Sequence, residues 1–350
     1  MARSPRIYLD HAATTPILTA AKAAMVEALE RWANPSSPHA EGRAARATLE
    51  DARERIKRAL RWDGELIFTS GATEAIEIGL LAFAPEEIAV SAVEHDAILR
   101  AAAGAERISV SRSGLVDPGN LPDRRLIAVQ AANNETGILQ PVADGAEAAR
   151  AQGRLFFCDC AQTAGKLPLP DADLICVASH KLGGPPGVGA LLVRDLSLLK
   201  ARGGQERGYR GGTQNLPAIL GLAAALDARE PWLERAGDLR DALEDRLRAA
   251  GAEIVGENSP RIPTIGAYRM PSVPSEAQLI HFDLTGIAVS AGSACSSGTM
   301  KVSHVLTAMG WGEQAAREVV RVSFGPQTTA AEVDAFAVAW EQLAERKRAA

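Results

Sequence analysis

The amino-acid sequence predicts an α/β protein with a mainly parallel central sheet and a smaller second domain. Two observations lead to this prediction. Short apolar segments alternate with helix-patterned segments through the first part of the chain, which is the pattern of strand–helix–strand crossovers in a parallel sheet. After Gly212 the sequence becomes largely helical, and a chain of 350 residues is long enough for about two domains.

The composition is that of an ordinary globular protein, with 47% hydrophobic and 23% charged residues. A net charge of −5 and only 4% aromatic residues argue against a direct nucleic-acid surface. The first residues carry two arginines without an apolar stretch behind them, and no run is long enough to span a bilayer. We therefore expect neither a secretory signal nor a membrane segment. Four cysteines are too few for a disulfide framework, so a cytoplasmic protein is expected.

The first elements of the chain are an extended segment over residues 8–16 and helices over 20–31 and 41–60, predicted from three- and four-residue apolar spacing. Strands and helices then alternate. Strands are predicted over residues 65–69, 88–93, 126–130, 154–158, 174–177 and 188–193. The helices between them are predicted from residue 74 through 83, from residue 97, and over 142–152.

The later part of the chain is predicted to form helices over residues 216–228 and 233–250, followed by a loop-rich segment over 251–259. This segment is the expected domain boundary. Beyond it we predict strands over 264–270 and 319–324, helices over 275–284 and near 302–309, and a last helix with an apolar stripe. The large domain is therefore placed at residues 15–255, and the small domain at residues 1–14 and 256–350.

Five polar residues suited to catalysis follow predicted strands, namely Thr73, His95, Asn134, Asp159 and Lys181. The carboxyl ends of parallel strands meet at one edge of a sheet, where ligands bind. Lys181 emerges from an apolar strand into a turn rich in glycine and proline. Burial there disfavours its ammonium form, so the amine becomes a usable nucleophile or base near neutral pH. The alternative is a solvated lysine beside a turn.

The segment from Ser70 to Thr73 joins a strand to a helix, so its free N–H groups, the helix dipole and the Thr73 hydroxyl can hold an anion. It lacks the lysine of a Walker motif, and no G-x-G-x-x-G follows an early strand, so a phosphate outside a nucleotide is expected. Asp159 ends an apolar strand, where a carboxylate must be paired or protonated. A phosphate site, this carboxylate and an imine-forming Lys181 together describe a pyridoxal phosphate site. His95 could lie over the ring, although a lone histidine is more often structural.

Two further residues stand out in the second domain. Cys295 lies in a small-residue loop over 290–298, where an exposed thiol suits a mobile nucleophile; the alternative is an incidental surface cysteine. The other cysteines lie in or beside apolar strands and are expected to behave as small hydrophobic residues. Arg321 is a charge within an apolar strand and requires a carboxylate, from either the protein or a substrate.

These motifs resemble the cysteine desulfurases of the NifS/IscS type, in the class V aminotransferase group of fold-type-I pyridoxal phosphate enzymes. The matching motifs, in chain order, are Ser70-Gly71-Ala72-Thr73-Glu74, Glu94-His95, Asn133-Asn134-Glu135, Asp159-Cys160-Ala161-Gln162, His180-Lys181, Glu206-Arg207-Gly208 with Arg210-Gly211-Gly212-Thr213, and Ser293-Ala294-Cys295. The resemblance runs from Tyr8 to Ser323. It implies a fold-type-I transferase, with a seven-stranded, mainly parallel sheet between helices and a smaller α+β domain.

The resemblance also implies how the cofactor is held. Lys181 would bind it covalently and then move the substrate α-proton, and Asp159 would pair with the pyridinium. Gln162 would bond the ring hydroxyl, while His95 would stack on the ring and take the proton of the substrate thiol. The phosphate would be held by the Ala72 backbone, Thr73, His180 and, from the other subunit of a homodimer, Thr213.

For the substrate, the resemblance implies that Asn134 and Arg321 position the carboxylate of L-cysteine, and that the Cys295 thiolate attacks its sulfur. Alanine would leave, and Cys295 would keep a persulfide for an acceptor protein, either an iron–sulfur scaffold or a tRNA-thiolation carrier. No intrinsic metal site is expected, although Cys295 could ligate an iron–sulfur cluster transiently with a scaffold. Two alternatives are a selenocysteine or cysteine sulfinate-type lyase on the same fold, and a non-catalytic partner of sulfur-transfer proteins.

Two features depart from the pattern that the resemblance implies. Ala178 stands where the family usually has a phosphate-binding serine, so either Ser179 substitutes or the site has one hydrogen bond fewer, a loss of about 1 kcal/mol. The sequence also stops at Ala350, whereas longer members continue into a segment that docks the scaffold. The identity of the acceptor therefore stays open.

Overall fold

The structure is a computed structural model that describes residues 6–31, 33–229, 231–292 and 302–349. Its strands are β1 (Ile7–Tyr8), β2 (Glu65–Thr69), β3 (Ile88–Ser91), β4 (Glu106–Ile108), β5 (Leu126–Ala128), β6 (Leu155–Asp159), β7 (Leu174–Ala178), β8 (Gly189–Val193), β9 (Glu253–Ile254), β10 (Ile265–Arg269), β11 (Ile287–Ala288) and β12 (Val319–Ser323). Its α-helices are α1 (Thr19–Glu30), α2 (Ala40–Leu60), α3 (Ala72–Leu80), α4 (Asp96–Ala101), α5 (Val142–Ala151), α6 (Leu216–Asp227), α7 (Leu233–Ala249), α8 (Ser275–Leu284), α9 (His304–Ala308), α10 (Glu313–Ala316) and α11 (Ala330–Ala349).

Seven strands form one sheet in the order β2-β8-β7-β6-β5-β3-β4. The strands from β7 to β4 in that order run parallel, whereas β8 runs antiparallel to both of its neighbours. Residues 179–188, which join β7 to β8, contain only a 3-10 turn and are too short for a parallel crossover. The predicted α/β fold with a mainly parallel sheet is confirmed.

Helices cover both faces of this sheet, because its strands send alternate apolar side chains into two hydrophobic clusters. Phe156 and Cys158 on β6 pack with α2, α5 and α6, whereas Phe157 packs with α3 and α4. All residues of β7 and β8 are buried, as expected for inner strands of a sheet covered on both sides. The large unit therefore has three layers, helix on sheet on helix.

A smaller unit forms around an antiparallel sheet of the order β12-β10-β9. Its core is aromatic, with the Phe282 and Trp340 rings stacked at a centroid distance of 6.2 Å. β1 joins this unit by pairing in parallel with β11. The domain boundary at residue 255 stays a prediction, and we propose that α7 belongs to the smaller unit, because its Leu243 and Leu247 lie in the same hydrophobic cluster.

The structure differs from the predicted elements mainly in short segments. The sequence does not predict β1, β4, β9 or β11, each of two or three residues. In β4 the side chains of Glu106 and Arg107 are exposed at the sheet edge, so no apolar run marks the strand. Helix α3 begins at Ala72, which places Thr73 in its first turn. None of the helices in the described ranges is both long and apolar enough to cross a membrane.

Candidate active site

A cavity of about 400 Å³ lies where the parallel strands of the main sheet end. Segments that follow β2, β3, β5, β6 and β7 form its wall, so residues far apart in sequence meet there. It is lined by eight of the predicted site residues, namely Ala72, Thr73, His95, Asn134, Asp159, Gln162, His180 and Lys181. Thr213 is exposed and is not part of this wall within one chain. Cys295 lies outside the described residues.

Lys181 ends a 3-10 turn that directly follows β7. Its Nζ donates a hydrogen bond to the Ala13 carbonyl at 2.8 Å and another to the Ala12 carbonyl. Burial, together with the positive charge of Arg321, lowers the pKa of Lys181 to about 8, against the opposing effect of Asp10 and Asp159. About a tenth of this amine is therefore unprotonated at pH 7, which provides the free amine that attack on an aldehyde requires.

Asp159 and Gln162 lie on the floor of the cavity at the end of β6 and in the following turn. Asp159 is 7% exposed, and its Oδ1 accepts a hydrogen bond from the Ala161 N–H at 2.8 Å. Gln162 donates from Nε2 to the Ala12 carbonyl at 2.9 Å, whereas its buried Oε1 has no partner within the described residues. A buried acceptor without a donor costs stability, so this oxygen fits the hydroxyl of a bound ring.

The first turn of α3 provides an anion site on the adjacent wall. The N–H groups of Ala72 and Thr73 lie in that turn, where no intrahelical carbonyl can reach them, and the helix dipole points at the cavity. His180 also lines the cavity. Burial and the charge of Lys181 lower the pKa of His180 to about 4, so its imidazole is neutral near neutral pH and can donate a single hydrogen bond to a phosphate oxygen.

The positions of Ala178 and Ser179 bear on the two alternatives that Ala178 leaves open. Ala178 lines the cavity, and Ser179 does not. The Ser179 side chain is fully buried against Gly184, and its hydroxyl has no hydrogen-bond partner within the described ranges. Ser179 is therefore not positioned on the cavity wall, and we expect the anion site to have one hydroxyl donor fewer.

Restoring that hydroxyl should strengthen phosphate binding. We expect Ala178→Ser to lower the dissociation constant for pyridoxal phosphate about fivefold, the equivalent of one hydrogen bond worth about 1 kcal/mol. Titration of the apo-protein, followed by the change in cofactor absorbance, measures this constant. The control is Ser179→Ala, which should leave it unchanged. A Ser179→Ala variant that binds the cofactor more weakly would show that the Ser179 hydroxyl does reach the phosphate.

Arg321, on β12 of the smaller unit, is not among the residues that line the cavity, but it contacts one that does. Its Nη2 pairs with Asp10 Oδ1 at 2.7 Å, and its Nη1 donates to the backbone carbonyl of Asn134 at 2.9 Å. The buried Nε has no partner within the described residues. The guanidinium is thus fixed by two contacts and still has N–H groups available for a second carboxylate.

His95 is held in one orientation by the start of α4. Its Nδ1 accepts a hydrogen bond from the Ala97 N–H at 3.2 Å, which leaves the proton of a neutral imidazole on Nε2. The ring lines the cavity. His95 therefore presents an N–H donor to a bound molecule.

Sequence reasoning gave no role to several groups that shape this site. Asp10 fixes Arg321, and the Ala12 and Ala13 carbonyls hold Lys181. All three lie in residues 8–16, for which the sequence predicts only an extended segment. Glu94 is fully buried behind the cavity, and burial raises its pKa well above the usual range, with a further contribution from Asp159. Of these groups, only Glu94 lies in one of the matched motifs, Glu94-His95.

The fold and this set of side chains define a pyridoxal phosphate-dependent enzyme. A lysine with a lowered pKa, a carboxylate, a buried acceptor without a partner and a helix N-terminus with a neutral imidazole are the groups that would hold this cofactor. The chain belongs to the aminotransferase class-V family, which it matches over residues 7–336. The family membership that the motifs indicate is confirmed.

Relatives of nearly the same length agree with this assignment. The chain is 38% identical over 360 residues to a cysteine desulfurase of Enterobacter agglomerans, covering 94% of this chain and 90% of that protein. It is 35% identical over 375 residues to the cysteine desulfurase IscS of Dictyoglomus turgidum, covering 98% and 95%. The crystal structure of a NifS-like protein from Rickettsia africae superposes with a TM-score of 0.88 at 31% identity, covering 97% of this chain and 99% of that one.

Proposed function

We propose that the protein removes sulfur from L-cysteine, as a pyridoxal phosphate-dependent cysteine desulfurase that gives L-alanine and a persulfide on Cys295. The observation that supports this most is the convergence of Lys181, Asp159 and the α3 N-terminus on one cavity, in a chain whose full-length relatives are named cysteine desulfurases. The selenocysteine and sulfinate lyase alternative is not favoured by those relatives.

The bound cofactor supplies an electron-withdrawing, protonated ring next to the substrate carbon. Asp159 would pair with the ring nitrogen, and Gln162 Oε1 would accept a hydrogen bond from the ring hydroxyl. The N–H groups of Ala72 and Thr73, with the neutral His180, hold the phosphate. Thr213 is exposed in one chain, and we assign it to the phosphate of a second subunit in a homodimer.

The remaining groups act on the substrate. Arg321 and Asn134 orient the carboxylate, with Asp10 holding the guanidinium in place, and Lys181 Nζ takes the α-proton. His95 Nδ1 accepts a hydrogen bond from the Ala97 N–H, so the Nε2 N–H of His95 is the donor toward a bound molecule. Nε2 can accept the proton of the substrate thiol only when it does not already carry a proton. The Cys295 thiolate then bonds to the substrate sulfur while the carbon–sulfur bond breaks. The bonding electrons stay with the carbon fragment, which leaves as alanine after protonation.

We infer that the sulfur passes to an acceptor protein, either an iron–sulfur scaffold or a tRNA-thiolation carrier, and that the reaction takes place in the cytoplasm. The name IscS of one relative supports iron–sulfur cluster assembly as the destination.

The direct test is the product balance. Purified holoenzyme incubated with L-cysteine and a thiol reductant should release alanine and sulfide in a one-to-one ratio, measured by amino-acid analysis and sulfide assay. L-selenocysteine and L-cysteine sulfinate serve as comparison substrates. Release of alanine from sulfinate but not from L-cysteine would replace this proposal with the lyase alternative.

The lowered pKa of Lys181 predicts the pH dependence of cofactor uptake. The free amine attacks the aldehyde, so the rate of covalent attachment to apo-protein should rise about tenfold between pH 7 and pH 9 and then level off, as for a group with a pKa of about 8. Stopped-flow absorbance measures the rate. An ordinary lysine would keep accelerating through pH 10, and that result would contradict the effect of burial on Lys181.

A further inference from the structure

An ion pair beside the cavity has no part in the proposed chemistry. Arg210 donates from Nε to both carboxylate oxygens of Glu74, at 3.0 and 3.1 Å. Their side chains are only 16% and 25% exposed. Glu74 also accepts a hydrogen bond from the Ser70 N–H, and it lines the cavity. The pair therefore lies between the cavity and a loop 136 residues further along the chain.

Glu74 creates an electrostatic problem for a phosphate. It lies in the first turn of α3, next to the Ala72 and Thr73 N–H groups. A carboxylate there competes with a bound anion for the helix dipole and repels it. The hydrogen bonds from Ser70 and Arg210 lower the pKa of Glu74 against the effect of burial, so the carboxylate keeps its charge. The neighbouring His180 is neutral and cannot offset it.

The loop that carries Arg210 is held in place by hydrogen bonds to a buried carboxylate. The Glu206 carboxylate is fully buried and accepts hydrogen bonds from Arg53 at 2.8 Å, the Phe68 N–H at 2.9 Å and Gln214 at 2.8 Å. Glu206 and Arg207 have φ angles of 48° and 58°, a left-handed backbone that non-glycine residues disfavour. Backbone of this kind persists only where surrounding contacts impose it. Arg210 is therefore brought to Glu74 by a dedicated set of contacts.

We propose that Arg210 is a positioning residue for the phosphate of the cofactor. By pairing with Glu74 it cancels the negative charge in the first turn of α3, so that the turn accepts a phosphate dianion. Cancellation of the Glu74 charge matters more in this protein because Ala178 supplies no hydroxyl to the anion site. The inference rests on the proposed function only in taking pyridoxal phosphate as the bound molecule.

The test compares Arg210→Gln, Glu74→Gln and the double variant in cofactor affinity, measured by absorbance titration of apo-protein. Unphosphorylated pyridoxal is the matched ligand. Arg210→Gln should weaken pyridoxal phosphate binding about tenfold, the size of one charge interaction of about 1.4 kcal/mol. The double variant should return to within about threefold of wild type, because the uncompensated carboxylate is gone. Pyridoxal affinity should stay unchanged throughout.

A purely structural role for the pair gives a different pattern. The double variant would then bind as weakly as Arg210→Gln, or pyridoxal would weaken in parallel with its phosphate; either result overturns the proposal. Should Arg210→Gln fail to fold, Glu74→Gln alone decides, because it should tighten phosphate binding, and weaker binding would contradict the proposal. A wild-type protein that binds neither ligand would instead refute the proposed cofactor chemistry itself.

Discussion

Replacement of Lys181 by alanine is expected to lower kcat/KM for L-cysteine by at least about 10⁴-fold, because one side chain holds the cofactor covalently and moves the α-proton. Lys181 lines the cavity, and its pKa is lowered to about 8. Alanine release gives the rate. Borohydride reduction of the holoenzyme, followed by peptide mass spectrometry, should find the cofactor on Lys181 in wild type and nowhere in the variant.

The chain offers a demanding control for this experiment. Burial and the charge of Lys181 also lower the pKa of Lys166 to about 8. A similar fraction of the two amines is therefore unprotonated at a given pH. Lys166 lines a neighbouring cavity of about 280 Å³ but not the main one. Lys166→Met should therefore keep the reduced adduct at Lys181. An adduct found on Lys166 in wild type would show that the amine that binds the cofactor lies outside the proposed site.

Replacement of Cys295 by serine is expected to reduce alanine formation from L-cysteine at least about 10³-fold while cofactor binding is preserved, because a hydroxyl does not replace a thiolate as nucleophile toward sulfur. The chain has four cysteines. Cys158, Cys160 and Cys176 are all buried in the described structure, and burial raises the pKa of Cys158 and Cys176 well above the usual range. A thiol with a raised pKa carries little thiolate near neutral pH, so Cys158 and Cys176 are poor nucleophiles.

The matched control is Cys158→Ala, a change within the core of the large unit that should leave turnover within about threefold of wild type and lower only stability, by about 1 kcal/mol. Mass spectrometry after a single turnover should find the additional sulfur on Cys295. Full turnover by Cys295→Ser would mean that sulfur leaves without passing through an enzyme persulfide.

The sequence predicted those parts of the structure whose signal is local. The inner strands β6, β7 and β8 are marked by uninterrupted apolar runs, and the polar residues that follow β6 and β7 meet in one cavity, as expected for parallel strands. The predicted role of each residue in that cavity stays a proposal. β8 illustrates the limit, because an apolar run does not show the direction of a strand; only the short connection from β7 does.

The parts that could not be predicted depend on contacts between distant segments. Arg321 requires a carboxylate by its chemistry, but its partner Asp10 is 311 residues away and no periodicity identifies it. The sequence allows Ser179 to replace the missing serine, because it does not indicate that the Ser179 hydroxyl packs against Gly184. The amphipathic pattern of α7 likewise predicts a helix without indicating which hydrophobic cluster it joins.

The six residues from Asp10 to Thr15 contact four residues of the candidate site. They fix Arg321 through Asp10, Lys181 through two carbonyls, Gln162 through one of them, and the His180 carbonyl through the Thr15 N–H at 2.8 Å. Four candidate-site residues from three separate regions are thus held by one segment, through its backbone and the Asp10 carboxylate. A substitution that shifts this segment should therefore displace all four residues together.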